Sequence, residues 1–179
     1  YATNYKSDEF LNDSNKQLFE ANFYKQWLFR PEVRTTWSFQ KSKLTTGMGL
    51  NKETLNRTYF DSNVVFNSQY AFLQYDYNPT DKWNVLAGFR YDNHQEYQSQ
   101  WSPKFAVNYK VNQNFSLKSS IGYGFKAPDF RQLYFDFSNS AIGYAVFGYN
   151  VAETKLDDLD AQGQILFRYD GIDFNSELK

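Results

Sequence analysis

Residues Gly122–Tyr134 read GYGFKAPDFRQLY, and they mark where one kind of structure stops and another starts. Upstream, Phe115, Leu117, Ile121 and Tyr123 share one parity, while Ser116, Lys118, Ser120 and Gly122 share the other. A period of two puts these sets on opposite faces of a strand, one apolar and one polar. The alternation ends at Gly124-Phe125-Lys126-Ala127-Pro128, because proline has no N–H to donate to a ladder. Beyond it Phe130, Leu133, Tyr134 and Phe137 recur at i, i+3, i+4 and i+7, with Asp129 placed as N-cap and Gln132 at the matching capping-box position. The spacing predicts one short helical stretch at the mouth of whatever the strand builds.

Working back from this point, two strands are especially clean. Trp83, Val85, Ala87, Phe89 and Tyr91 oppose Asn84, Leu86, Gly88, Arg90 and Asp92. Trp101, Pro103, Phe105, Val107 and Tyr109 oppose Ser102, Lys104, Ala106, Asn108 and Lys110. Each apolar set runs from Trp to Tyr over a length close to the roughly 9–11 residues that cross a bilayer when a strand is tilted by about 45°. Amphipathic rings at both ends are what two membrane–water interfaces select. Earlier, Phe19, Ala21, Phe23, Trp27, Phe29, Val33, Trp37 and Phe39 share one parity, with Lys25 and Pro31 dissonant. They predict a single strand of about twenty residues, against the five or six usual in globular sheets. A soluble protein would break it near Pro31. Leu44, Met48 and Leu50 mark a further strand, Ala71 to Tyr77 another, and Tyr1 to Glu9 the tail of one. After Tyr134 a loop is expected as far as Asp160, then a strand from Gln162 to Tyr169, a turn at Asp170-Gly171, and a last strand from Ile172.

The connections alternate. Short ones are expected near 40–42, 78–82, 111–114 and 170–171, and long or polar ones near 10–16, 52–67, 92–100 and 125–160. Outer-membrane barrels have this asymmetry between periplasmic turns and extracellular loops. Composition agrees. Aromatics make up 21% of the 179 residues, yet mean hydropathy is −0.71, as in a sheet with one face in lipid and the other in water. A net charge of −1 offers no electrostatic footprint for nucleic acid. The absence of cysteine removes disulfides, thiolate metal sites and thiol nucleophiles. No apolar run is long enough for a transmembrane helix. Tyr1 opens directly in patterned sequence, with no signal-peptide pattern, so the chain reads as a mature piece of something longer.

Gly122, Gly124, Phe125, Lys126, Ala127 and Pro128, followed by Leu133 and Tyr134, resemble a signature from the barrel of TonB-dependent outer-membrane receptors. The stretch TTGMGLNKE (residues 45–53) and the triplet Ser102-Pro103-Lys104 resemble further parts of that family. The resemblance implies an all-β fold of antiparallel up-and-down strands, about nine of them here, as part of a barrel of about 22 strands around a plug. Residues 1–179 would be a partial barrel domain, without the plug and the remaining strands. It further implies the outer membrane of a Gram-negative bacterium, with lipid around the barrel. The activity implied is active import of a large scarce nutrient, such as an iron-siderophore, haem, cobalamin or oligosaccharide. Ligand would bind at extracellular loops, and the TonB complex would supply energy through the plug. An open sheet in lipid leaves edge N–H and C=O groups unpaired, so this piece alone is expected neither to insert stably nor to transport.

No catalytic set and no cofactor site stand out; there is no Ser/His/Asp grouping, phosphate-cradling loop or placed carboxylate pair. The loop aromatics Tyr134, Phe135, Phe137, Tyr144, Phe147 and Tyr149 are candidates for ligand contact, since flat amphipathic rings give area at low entropy cost; for any single one of them, loop-on-loop packing is the more common use. Tyr134, Phe137, Tyr144, Tyr149 and Arg131 form the candidate ligand set. Arg34, Arg90, Lys104, Lys118 and Arg168 could line the lumen with positive charge, or be hydrated, or pair with a plug. His94, the only histidine, reads as a solvated loop-tip residue. Asp157, Asp158 and Asp160 read as a solvated acidic loop, with no calcium-loop spacing. The alternatives are a passive outer-membrane pore or adhesin, and a soluble aromatic-rich β domain that binds carbohydrate.

Overall fold

The computed structural model describes residues 1–139 and 142–167. Among them are β1 (Ala2–Asn12), β2 (Leu18–Phe29), β3 (Glu32–Ser38), β4 (Ser42–Arg57), β5 (Val64–Thr80), β6 (Trp83–His94), β7 (Gln100–Lys110) and β8 (Ser116–Gly122). Then come α1 (Phe130–Tyr134), β9 (Asp136–Asn139), β10 (Tyr144–Phe147) and α2 (Tyr149–Ala161). The hydrogen-bonded order is β1-β2-β4-β5-β6-β7-β8, with β3 also on β4, and β9 pairs with β10 separately. Strands adjacent in sequence pair antiparallel from β5 to β8. This is the all-β, up-and-down arrangement expected. Two compact units are present: one of Tyr1, Phe29–Lys52 and Phe66–Lys126, the other of Ala2–Leu28, Glu53–Val65 and Ala127 onward.

In the first unit the faces are inside-out relative to a soluble sheet. Trp83, Phe89, Trp101, Phe105, Leu117 and Ile121 all lie on the apolar parity, and all are exposed, Trp101 at 55% and Ile121 at 75%. Along β5 the apolar positions Ala71, Leu73, Tyr75 and Tyr77 are exposed, while Phe72, Gln74 and Asp76 between them are half-buried. Buried hydrophobic residues among the described ones are Leu55, Val64, Phe66, Tyr70, Phe130 and Leu133. A self-sufficient soluble domain of about 150 residues hides about 68–70% of its unfolded surface, and such a short list cannot supply it. The apolar rows therefore do not crowd into a dry centre.

Register explains the Trp-to-Tyr runs. Trp83 pairs with Tyr109 and Tyr91 with Trp101, so each end of the β6–β7 pair carries one Trp against one Tyr. The ring centroids lie 4.4 and 4.5 Å apart. Such cross-strand pairs each contribute roughly 0.2–1 kcal/mol to the sheet.

Glycines on the polar face make room for rings. A Cβ on Gly47 would lie 2.5 Å from the Phe72 ring, and one on Gly49 would lie 2.5 Å from the Tyr70 ring. The glycine-bearing stretch at 45–53 thus lets large side chains of the next strand lie across β4.

Proline accounts for several boundaries. The predicted strand of about twenty residues is interrupted at Arg30 and Pro31. The pairing persists, because the Pro31 carbonyl accepts from Leu50 N at 3.1 Å. The Pro103 carbonyl accepts from Tyr123 N at 2.9 Å; proline cannot return the second bond of that pair, and β8 ends at Gly122. The short connection expected at 78–82 is shifted: β5 continues to Thr80, with a register irregularity between Tyr77 and Thr80 that accommodates Pro79.

Other expectations are corrected. The connection expected at 52–67 is shorter, because β4 runs on to Arg57 and β5 begins at Val64; pairing outweighed composition. The loop expected over 125–160 contains α1, a two-stranded hairpin and α2. The strand expected from Gln162 is not one over residues 162–167. Gly163 has φ +68°, its N–H bonds Asp160 O at 2.9 Å, and Gln164 N bonds Leu159 O at 2.9 Å. That paired set of bonds with a left-handed glycine terminates a helix. Residues 168–179, with Arg168, the Asp170-Gly171 turn and the last strand, lie outside the described residues.

Candidate functional site

The second unit contains the candidate site. Asp129 caps α1 by accepting from Gln132 N at 2.8 Å, and Gln132 Oε1 accepts from Asp129 N at 2.9 Å. This capping box is the one expected from sequence. The helix stops at Tyr134 rather than reaching Phe137, because Phe135 is extended (φ −67°, ψ 130°) and Phe137 belongs to β9. Leu133, 1% exposed, and Phe130 anchor the turn.

Gly148 N bonds Phe135 O at 2.6 Å, and a Cβ on Gly148 would lie 2.4 Å from backbone atoms of Leu133 and Tyr134. Glycine is needed there for close approach. Asp157, Asp158 and Asp160 lie on α2, which corrects the acidic-loop reading. Among the described residues no group of His, Asp or Glu is gathered to hold a metal.

The β4–β5 connection packs against this segment. Tyr59 takes φ +70°, and its carbonyl accepts from Asp136 N at 2.8 Å. Its hydroxyl donates to Glu20, which raises the Tyr59 pKa. Its ring meets Phe135 and Phe137 edge-on, with centroids 5.7 and 5.0 Å away. Lys155 Nζ bridges Asp61 at 3.1 Å and Asp136 at 2.6 Å. The hydrogen bond from Lys155 holds the Asp61 carboxyl below its ordinary value, and the two carboxylates raise Lys155.

Between these elements lies an open concavity of about 700 Å³, lined by Arg57, Tyr59, Arg131, Gln132, Phe137 and Tyr144 among others. The Arg131 guanidinium lies 5.0 Å from the Phe135 centroid, and that of Arg57 lies 5.9 Å from the same ring. Arg57 Nε donates to the Thr58 carbonyl at 3.2 Å; its terminal N–H groups, with those of Arg131, suit an anionic, flat group.

Of the predicted set, Arg131, Phe137 and Tyr144 line the concavity, while Tyr134 and Tyr149, both half-buried, are outside its lining. Arg57 and Tyr59 were missed, since nothing in a stretch read as a polar link distinguishes them. Of the motif residues, Gly122 ends β8, Gly124, Phe125 and Lys126 are exposed, and Ala127 and Pro128 are half-buried. Leu133 is the buried anchor.

In the first unit two residues of the expected basic lining, Arg34 and Arg90, are neutralised by carboxylates. Arg90 makes a bidentate pair with Asp92 at 2.7 and 2.6 Å and stacks 4.1 Å from the Tyr70 ring. Tyr70 donates to Glu32 at 2.6 Å, which also pairs with Arg34 at 2.8 Å. Lys104 lies over Gly88, and Lys118 is exposed on β8.

His94 is not a solvated loop tip. Its ring stacks on Tyr97 at 4.1 Å and meets Phe66 edge-on at 4.9 Å, and its Nδ1 accepts from Glu96 N at 3.1 Å.

A family model described as "TonB dependent receptor-like, beta-barrel" matches residues 1–162. The chain is 29% identical over 104 residues to the "Probable TonB-dependent siderophore receptor PirA" of Acinetobacter baumannii, covering 58% of this chain and 13% of that protein. It is 28% identical over 123 residues to the "Vitamin B12 transporter BtuB" of Vibrio cholerae serotype O1, covering 69% of this chain and 19% of that one. Among solved structures, the siderophore receptor PirA from A. baumannii matches with TM-score 0.56 at 19% identity, over 74% of this chain and 23% of the other. The PirA from Pseudomonas aeruginosa matches with TM-score 0.54 at 23% identity, over 63% of this chain and 23% of the other. This chain thus spans less than a quarter of the length of each. Its match to the family model over most of its residues, with an exposed apolar face and an antiparallel meander, means that the chain belongs to the TonB-dependent receptor-like β-barrel family.

Proposed function

We propose that residues 1–179 are a partial wall and part of the ligand mouth of an outer-membrane active transporter in a Gram-negative bacterium. It imports a large scarce nutrient, of the class that includes iron-siderophores, haem, cobalamin and oligosaccharides, with TonB-coupled energy reaching it through a plug. The observation that carries this reading is the exposed apolar parity of β6, β7 and β8, ended by Trp–Tyr pairs, which needs hydrocarbon against it. A soluble carbohydrate-binding domain would need that face covered.

Arg131, Phe137 and Tyr144, with Arg57 and Tyr59, contact the nutrient at the loop end, and Tyr134 and Tyr149 support them from α1 and α2. The relatives include a siderophore receptor and a B12 transporter, which supports import rather than catalysis.

The test uses the full-length receptor in cells with and without functional TonB, measuring uptake of each nutrient class. Uptake of one class should disappear without TonB. Arg57→Ala with Arg131→Ala should weaken its binding by about tenfold or more, as loss of charge-assisted hydrogen bonds does. Uptake that persists unchanged without TonB would establish a passive pore instead.

A further inference from the structure

We infer that the apolar-parity face of the first unit holds a membrane lipid with a phosphate-bearing headgroup, in two grooves that adjoin along the strands. This rests on the reading that the face borders a bilayer.

The first groove, about 470 Å³, is lined by Val33, Met48, Leu50, Ala71 and Tyr91 among others. The second, about 540 Å³, is lined by Lys52, Asn67, Gln69, Asn93 and Gln95 among others. Leu50 and Gln69 line both.

Three neighbouring strands change chemistry at this boundary. On β4 the same-face positions pass from Met48 and Leu50 to Lys52, on β5 from Ala71 to Gln69 and Asn67, and on β6 from Tyr91 to Asn93. The register sets these changes side by side, with Ala71 opposite Tyr91 and Gln69 opposite Asn93. A carbon-lined slot that ends in a cation and amides has the polarity of one amphiphile, chain in one groove and head in the other.

Hydrogen bonding within the second groove selects an acceptor-rich head. Asn93 Oδ1 accepts from Ser99 Oγ at 3.1 Å, so what that amide still offers is a donor. Gln95 Oε1 accepts from Asn67 Nδ2 at 2.7 Å, and its Nε2 donates to Glu96 at 2.7 Å, which fixes the rim. Among the described residues that line the second groove there is no carboxylate, Glu96 lying beyond Gln95 at the rim. An ammonium and an amide N–H₂ beside an apolar slot suit phosphate oxygens at headgroup level.

The experiment is native mass spectrometry of the full-length receptor in detergent, offered phosphatidylglycerol or diacylglycerol with the same acyl chains. Preferential retention of phosphatidylglycerol is expected. Lys52→Gln, a surface change, should cut it about tenfold, the effect of losing one charge-assisted hydrogen bond. Ala71→Trp, filling the slot, should cut it as well, with thermal unfolding in detergent checking that each variant folds. Equal retention of the two lipids, or phosphatidylglycerol retention unchanged by Lys52→Gln, overturns the proposal whatever Ala71→Trp does. Complete displacement by inorganic phosphate would show a free-phosphate site and also overturn it. A receptor that fails to enter bilayers at all would overturn the reading of the face, a separate result from indifference to the headgroup.

Discussion

The β6–β7 ladder and the segment from Ala127 to Ala161 are built on opposite principles. In the ladder, large apolar side chains such as Trp101 and Phe105 are exposed, and order comes from continuous backbone pairing with Trp–Tyr pairs at each end. In the segment, backbone pairing is short, and order comes from one almost fully buried leucine, a capping box and a glycine pressed against α1. The ladder depends on what surrounds it, whereas the segment carries its own small core. A hydrophobic residue is therefore worth most in one region when it is inside and in the other when it faces out.

The largest expected effect tests the segment. Leu133→Ala should cost about 2–5 kcal/mol of local stability, the range for truncating a buried leucine. Hydrogen exchange should show residues 130–161 losing protection while β6 and β7 keep theirs. Equal loss in both regions would mean that they do not differ as described.

Next, Phe105→Lys places a charge midway along the exposed apolar face of β7. In a bilayer it should cost about 2–4 kcal/mol, measured for the full-length receptor by urea titration of folding into lipid vesicles. Ala106→Lys, on the polar parity one residue along, should change little. Equal costs at 105 and 106 would remove the distinction between the two faces.

The smallest effect concerns the Lys155 bridge. Lys155→Met should cost about 1 kcal/mol, near the top of the range for surface ion pairs, because Lys155 and Asp136 are half-buried. The sign with pH follows from the Asp61 shift. Its folded pKa lies below the ordinary 3.8, so its contribution is present above that value and fades as pH falls through the folded one. Lys155 is shifted upward from 10.5, so its contribution is lost only as pH rises past its folded pKa. In acid titrations followed by exchange of α2, the wild type should lose this increment below about pH 3.8, and the variant should show no such step.

Much of the wall was legible. Strict alternation in Trp83–Tyr91 and Trp101–Tyr109 has one geometric outcome, and the direction of its apolar face could be argued from ring types at the ends. The capping box at Asp129 and Gln132 is local chemistry and was equally readable. The helix over Tyr149–Ala161 was overlooked, although its helix-forming Ala, Glu, Lys and Leu residues between Gly148 and Gly163 were a usable signal. For His94, Tyr97 three residues on was a local signal, but Phe66 comes from β5 and only the strand pairing brings it there.

Periodicity alone dictated that these segments be strands with one carbon face and one polar face, because a pleated backbone sends successive side chains to opposite sides. It could not say which cation meets which carboxylate, nor that Arg57 and Tyr59 would join Arg131, Phe137 and Tyr144 around one concavity. Those meetings depend on register and on where the chain turns back. Only the folded arrangement, in which residues more than seventy positions apart stand side by side, decides them.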